Sequence, residues 1–159
     1  MELIRHTIAI ESPVWEVYEI VSTLGGLRSW LSRDVQGNPR KDGELSLGFG
    51  PERSVTFHVL ETKSNKRVSW KLTASTFDRS DAGIGTEVRF NMKEAGSKST
   101  EIELTHTGWS EVDEYFRVCG YQWQKSLQSL KKVCETGLGE PLTPSMLVSK
   151  KATGWFPVT

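Results

Sequence analysis

From Val112 to Cys134 the chain carries one apolar stripe. Val112, Phe116, Cys119, Trp123, Leu127, Leu130 and Cys134 recur in steps of three and four. That period predicts a helix over residues 111–136, ~39 Å long at ~1.5 Å per residue. Ser110 reads as its N-cap, with Asp113 and Glu114 in the first turn, Lys131 and Lys132 in the last, and Gly137 just past the end. A helix with so continuous a stripe gains most of its stability by laying that stripe on a matching apolar surface. The rest of the chain must therefore supply one.

The surface is legible as alternation. Between Glu44 and Thr107 five segments each show one apolar face: Leu45, Leu47, Phe49; Val55, Phe57, Val59; Val68, Trp70, Leu72; Val88, Phe90, Met92; and Ile102, Leu104, His106. Turn residues separate them at Gly50-Pro51-Glu52, Ser64-Asn65-Lys66, Asp78 to Gly85 and Ala95-Gly96-Ser97, which returns each strand antiparallel to the last. Residues 2–11 alternate too, with Ile4, His6, Ile8 and Ile10 on one side. Ser12-Pro13 then opens a helix carrying Val14, Val17, Tyr18 and Val21, and a second short helix, Leu27 to Leu31, holds Trp30. A polar loop of Gly37, Asn38, Pro39, Asp42 and Gly43 follows. The expected class is α+β: a six-stranded curved antiparallel sheet wrapped around a long C-terminal helix, with two short helices after the first strand.

One core suffices for 159 residues, so residues 1–137 form a single domain and 138–159 a tail. The tail is punctuated by Pro141, Pro144 and Pro157 and carries Met146, Leu147, Val148, Trp155 and Phe156. It is expected to be ordered against the domain or against a second copy, as a homodimer contact. Twenty basic and twenty acidic residues cancel, which removes the field that draws a protein to nucleic acid. Cys119 and Cys134 lie ~22 Å apart along one helix, too far to pair within it. Two unpaired thiols, and no apolar run of the ~18 residues a membrane span needs, give the expectation of a cytoplasmic protein without membrane insertion.

Local motifs sharpen the picture. Ser12-Pro13-Val14-Trp15, Trp30-Leu31, Val59-Leu60-Glu61, Lys66-Arg67-Val68-Ser69-Trp70 and Thr105-His106-Thr107-Gly108-Trp109, closed by Trp123, Leu127, Leu130 and Lys131, follow in that order. Together they resemble the START-like, helix-grip superfamily of lipid-transfer domains, birch-pollen allergens and polyketide cyclases. Within it they are most similar to bacterial members related to the C-terminal domain of the heat-shock chaperone ATPase activator. The resemblance covers residues 1 to about 137. It implies the helix-grip fold and a cavity between sheet and long helix. Chaperone activation does not carry over, because that role belongs to a multi-domain protein and a fold does not fix a function.

A curved sheet and a cylindrical helix leave space between them, and Trp30, Phe57, Trp70, Phe90, Phe116 and Trp123 point into it by phase. These rings, with His106 and His6, are the candidate ligand-binding residues, and a small apolar molecule is the expected partner. His6 and His106 share the inner face of the first and last strands, which the fold pairs, so two imidazoles could orient a ligand or move a proton. No catalytic residue, metal site or cofactor is assigned: the three histidines include no close-spaced pair, and nucleophile and phosphate motifs are absent. The leading expectation is a binding module for a small apolar or lipid-like molecule. The alternatives are a cyclase- or dehydratase-like enzyme using the same pocket and a protein-interaction module.

Overall fold

The computed structural model describes residues 2–77 and 83–142. Its elements in chain order are β1 (Ile4–Ile10), α1 (Val14–Ser22), α2 (Leu24–Trp30), β2 (Asp34–Gly37), β3 (Glu44–Gly48), β4 (Ser54–Lys63), β5 (Arg67–Ser75), β6 (Glu87–Gly96), β7 (Ser99–Thr107) and α3 (Glu114–Thr136). The strands form one antiparallel sheet in the order β1-β7-β6-β5-β4-β3-β2. Apolar side chains of the sheet's inner face, of α1 and α2, and of the α3 stripe make one core. Register shifts in β4, at Thr56/Phe57 and Val59/Glu61, add twist where the sheet must curve around the helix.

The sheet has seven strands, one more than alternation gave. The addition is β2, four residues that pair with Leu45–Gly48 at the sheet edge. Only Val35 of the four is buried, so the segment carries no period to read. Its edge is blunted by Arg28, whose Nε donates to Val35 O at 2.9 Å.

Helix ends differ from the sequence expectations for local reasons. α3 begins at Glu114, not residue 111, because Asp113 rather than Ser110 is the cap: its carboxylate accepts from Phe116 N at 3.0 Å. Val112 is left outside the helix and 42% exposed. Ser12 does not cap α1; Pro13 holds the N-cap position, and the Ser12 hydroxyl donates to Glu16 instead. α2 starts at Leu24 because Thr23 caps it, accepting from Gly26 N.

Past Gly137, whose φ of +85° ends α3, the chain doubles back. Glu140 N donates to Ser129 Oγ at 2.7 Å, Leu142 N donates to Leu31 O at 3.2 Å, and Leu142 bridges Ser32. The rest of the tail expected to pack, including Trp155 and Phe156, lies outside the described residues.

α1 and α2 meet almost without clearance. A Cβ on Gly26 would lie 2.2 Å from Ile20 O, whereas one on Gly25 meets nothing within 4 Å. Alanine is worth up to ~1 kcal/mol over glycine inside a helix. Gly25→Ala should therefore raise stability by up to about 1 kcal/mol, and Gly26→Ala should lower it despite the same propensity gain. Urea unfolding of the two variants reads the opposite signs.

Candidate functional site

Five of the predicted rings come together between sheet and α3. Phe57 and Trp70 have centroids 5.3 Å apart, Trp70 and Phe90 5.1 Å, Phe90 and Trp123 5.8 Å, and Phe90 and Trp30 6.1 Å. None is more than 1% exposed. Alternation puts Phe57, Trp70 and Phe90 on one face of β4, β5 and β6, while Trp123 comes from the α3 stripe and Trp30 from the end of α2. Most contacts are tilted or edge-to-face, the arrangement aromatic quadrupoles favour.

The indole N–H groups divide these rings. Trp30 Nε1 donates to Ile20 O at 3.3 Å, and Trp123 Nε1 to His106 Nδ1 at 3.1 Å. Trp70, equally buried, lies between the rings of Phe57 and Phe90.

His106 is fully buried and both ring nitrogens are engaged. Because the Trp123 indole can only donate, His106 Nδ1 is the acceptor and Nε2 carries the proton. Nε2–H then donates to Thr86 Oγ1 at 2.7 Å, and the Thr86 hydroxyl donates to Gly83 O at 2.6 Å. Geometry thus fixes the tautomer. Burial pushes the imidazole pKa down to about 3, so His106 is neutral at physiological pH. Trp109 lies 4.6 Å from it, centroid to centroid, and donates to its backbone carbonyl at 3.1 Å.

His6 lies on the same inner face, on the neighbouring strand, where its Cα partner is Leu104 and that of His106 is Ile4. The two imidazoles share no hydrogen-bond partner, since His6 Nε2 donates to Gly120 O of α3 at 2.8 Å. His6 instead borders a surface groove between β1 and α3. Phe116 is half-buried and joins Trp109, at 5.3 Å, rather than the five-ring stack. Cys134 is pushed up to about 12 by burial and by the Glu16 and Glu135 carboxylates, which keeps its thiol protonated. Among the described residues no three His, Cys, Asp or Glu side chains are placed to hold a metal.

Thr86 and Gly83 escaped the sequence reading. Gly83 lies within the segment read as a long turn and Thr86 just past it, and only the pairing of the neighbouring strands β6 and β7 brings Thr86 beside His106. The signal available was Trp109, three residues from His106 in the Thr-His-Thr-Gly-Trp motif.

With fold and site in view, the chain is a START-like helix-grip protein. The family model for activator of Hsp90 ATPase homolog 1-like protein matches residues 11–135, and the chain belongs to that family. Among solved structures it is similar to the Aha1 dimer from Colwellia psychrerythraea, at 27% identity and a TM-score of 0.77, over 87% of this chain and 100% of that one. It is also similar to CalU16 from Micromonospora echinospora, at 21% and 0.69 over 87% and 77% of the two chains. DynU16 of the dynemicin biosynthetic locus matches at 16% and 0.72 over 87% and 49%. These last two likenesses are of fold. No curated protein matches the chain. Among the described residues no helix is long and apolar enough to cross a membrane.

Protonating His106 would set a new N–H against the Trp123 N–H, so protonation at this residue opposes the folded state. The folded imidazole titrates at about 3 and the unfolded one at ~6.5. Its contribution is thus complete above ~6.5 and is lost as pH falls from there toward the folded value, on the order of 5 kcal/mol in all. The urea midpoint of the wild type should fall between about pH 6.5 and pH 4 more steeply than that of His106→Gln, which lacks the buried imidazole. Trp123→Phe leaves Nδ1 buried without a donor and should cost about 1–3 kcal/mol at neutral pH, beyond any packing loss.

Proposed function

We propose that this protein binds a small apolar molecule between the β4–β6 face and α3. The observation that carries the reading is the gathering of five large rings there, none more than 1% exposed. Trp30, Phe57, Trp70, Phe90 and Trp123 supply flat apolar walls, the lining usual in small-molecule sites. The rings touch one another, so the ligand enters by parting them.

Acid–base turnover is not part of this proposal. His106 has no free nitrogen and a pKa far below neutrality, which leaves it a structural rather than a proton-transferring group. A second reading concerns assembly. The Colwellia relative is described as a dimer and is matched over its whole length, which supports homodimer formation here. Sedimentation of the full chain against a truncation ending at Leu142 tests both this and the tail as its contact.

Native-state mass spectrometry of the purified full chain should show a mass above that of the polypeptide, and Trp70→Phe should carry less of it. A bare polypeptide mass under gentle conditions would end the ligand proposal. The same substitution in ligand-free protein should cost less stability than Trp123→Phe, since Trp123 forfeits its hydrogen bond to the buried His106.

A further inference from the structure

β1 is an edge strand, and its two ends are treated differently. Lys131 Nζ donates to Ala9 O at 2.7 Å, and Glu11 N donates to Glu135 Oε2 at 2.8 Å. Both groups therefore point away from β7. In an antiparallel pair each residue turns its N–H and C=O to the same side, and the side alternates along the strand. Arg5 and Thr7 thus share the outward orientation of Ala9, and among the described residues nothing pairs with their backbone. Both are exposed.

Alongside this open stretch runs a groove of about 240 Å³ lined by His6, Thr7, Ile8, Gln124, Leu127 and Gln128. Ile8 and Leu127 give it an apolar floor, and Gln124 and Gln128 rim it with carboxamides. His6 turns its Nε2–H onto Gly120 O at 2.8 Å, which holds its ring at the α3 side of the groove. No carboxylate, ammonium or guanidinium is among these lining groups. Arg5, on the outer face, is met by Glu103 at 3.7 Å. The chemistry matched by outward peptide groups on one wall, amides on the other and no net charge is another peptide backbone.

We propose that this groove docks a short, uncharged, extended polypeptide segment that adds to β1 at Arg5 and Thr7. The segment is short because Lys131 and Glu135 close the edge at Ala9 and Glu11. It is a lone strand rather than β1 of a second copy. Paired strands lie ~4.8 Å apart, while packed helices need 8–10 Å. α3 covers β1 along its length, with Gly120 against Ile4 and His6, Lys131 at Ala9 and Glu135 at Glu11. A second copy continuing the sheet here would bring its own α3 into the first.

The probe is an acetylated, amidated Ser-Val-Thr-Val-Ser peptide titrated into the isotope-labelled full chain, read by amide NMR. Saturable shifts are expected at the Arg5, Thr7 and Ile8 amides and the Gln124 and Gln128 side-chain amides. Thr7→Pro removes one outward donor without touching the β7 ladder and should weaken binding by about tenfold. Should that variant misfold, N-methylation of the peptide's alternate amides should have the same effect on the wild type. Absence of saturable shifts up to about 1 mM peptide, or binding indifferent to N-methylation, overturns the proposal. So does the appearance of the same shifts on raising protein concentration without peptide, which would assign the edge to a second copy.

Discussion

Trp123 on α3 donates its indole N–H to His106 on β7, and much of the architecture follows from making that bond in a dry place. The bond fixes the imidazole tautomer, which turns Nε2–H toward Thr86, which turns its own hydroxyl onto Gly83 O. Four groups from the long helix, the last strand and the approach to β6 are thereby ordered in sequence. Each donor meets one acceptor, so the chain has no alternative arrangement of equal energy. A half-satisfied version of such a network would cost more than an apolar core, and here the described partners complete it. Trp109 closes the cluster by lying tilted against the ring and donating to the His106 carbonyl. Gly83 belongs to the same assembly for a steric reason: a Cβ there would come within 2.5 Å of the Tyr115 ring.

The aromatic stack beside this node shows how polarity is distributed among similar side chains. Trp30 and Trp123 each carry a satisfied N–H and act as anchors, tying α2 to α1 and α3 to β7. Trp70 contributes contact area, meeting Phe57 and Phe90 at the middle of the inner face.

Much of this fold was legible because its large elements obey strong periods. The α3 stripe and the faces of β1 and β3 to β7 were readable from Ile4 to Leu130, while the antiparallel pairing of first and last strands was implied by the resemblance to the helix-grip superfamily. What escaped was short or long-range. β2 has four residues and a single buried one, too few for a period, and its existence depends on pairing with β3. The α3 start was misplaced because Ser110 and Asp113 are both good caps, and only the carboxylate's bond to Phe116 N distinguishes them. For the site, phase put His106 and five rings inside, but no local signal told that His106 would have both nitrogens taken. That depends on Thr86, twenty residues away and matched only through the β6–β7 register. Phe116 misled for a related reason: it is one turn too early on the helix and faces Trp109 instead of the stack.

The attachments of α3 are graded from one side to the other. At the β1 side they are hydrogen bonds from Lys131, Glu135 and His6, formed at or near the surface, where water competes and each is worth little. At the centre they are Trp123, Leu127 and Leu130, buried and collectively worth many times more. At the α2 side the Ser129 hydroxyl bonds Trp30 O and accepts from Glu140 N, so one side chain joins two helices and the returning chain. Departure of α3 as a whole would have to break the centre and is equivalent to unfolding. Local loosening at the β1 side disturbs only the weak bonds and leaves the core intact. The two proposed sites accordingly make different demands on the protein: a strand can add at the edge of β1 with the core closed, whereas a molecule reaching Trp70 must part rings that belong to the central attachment.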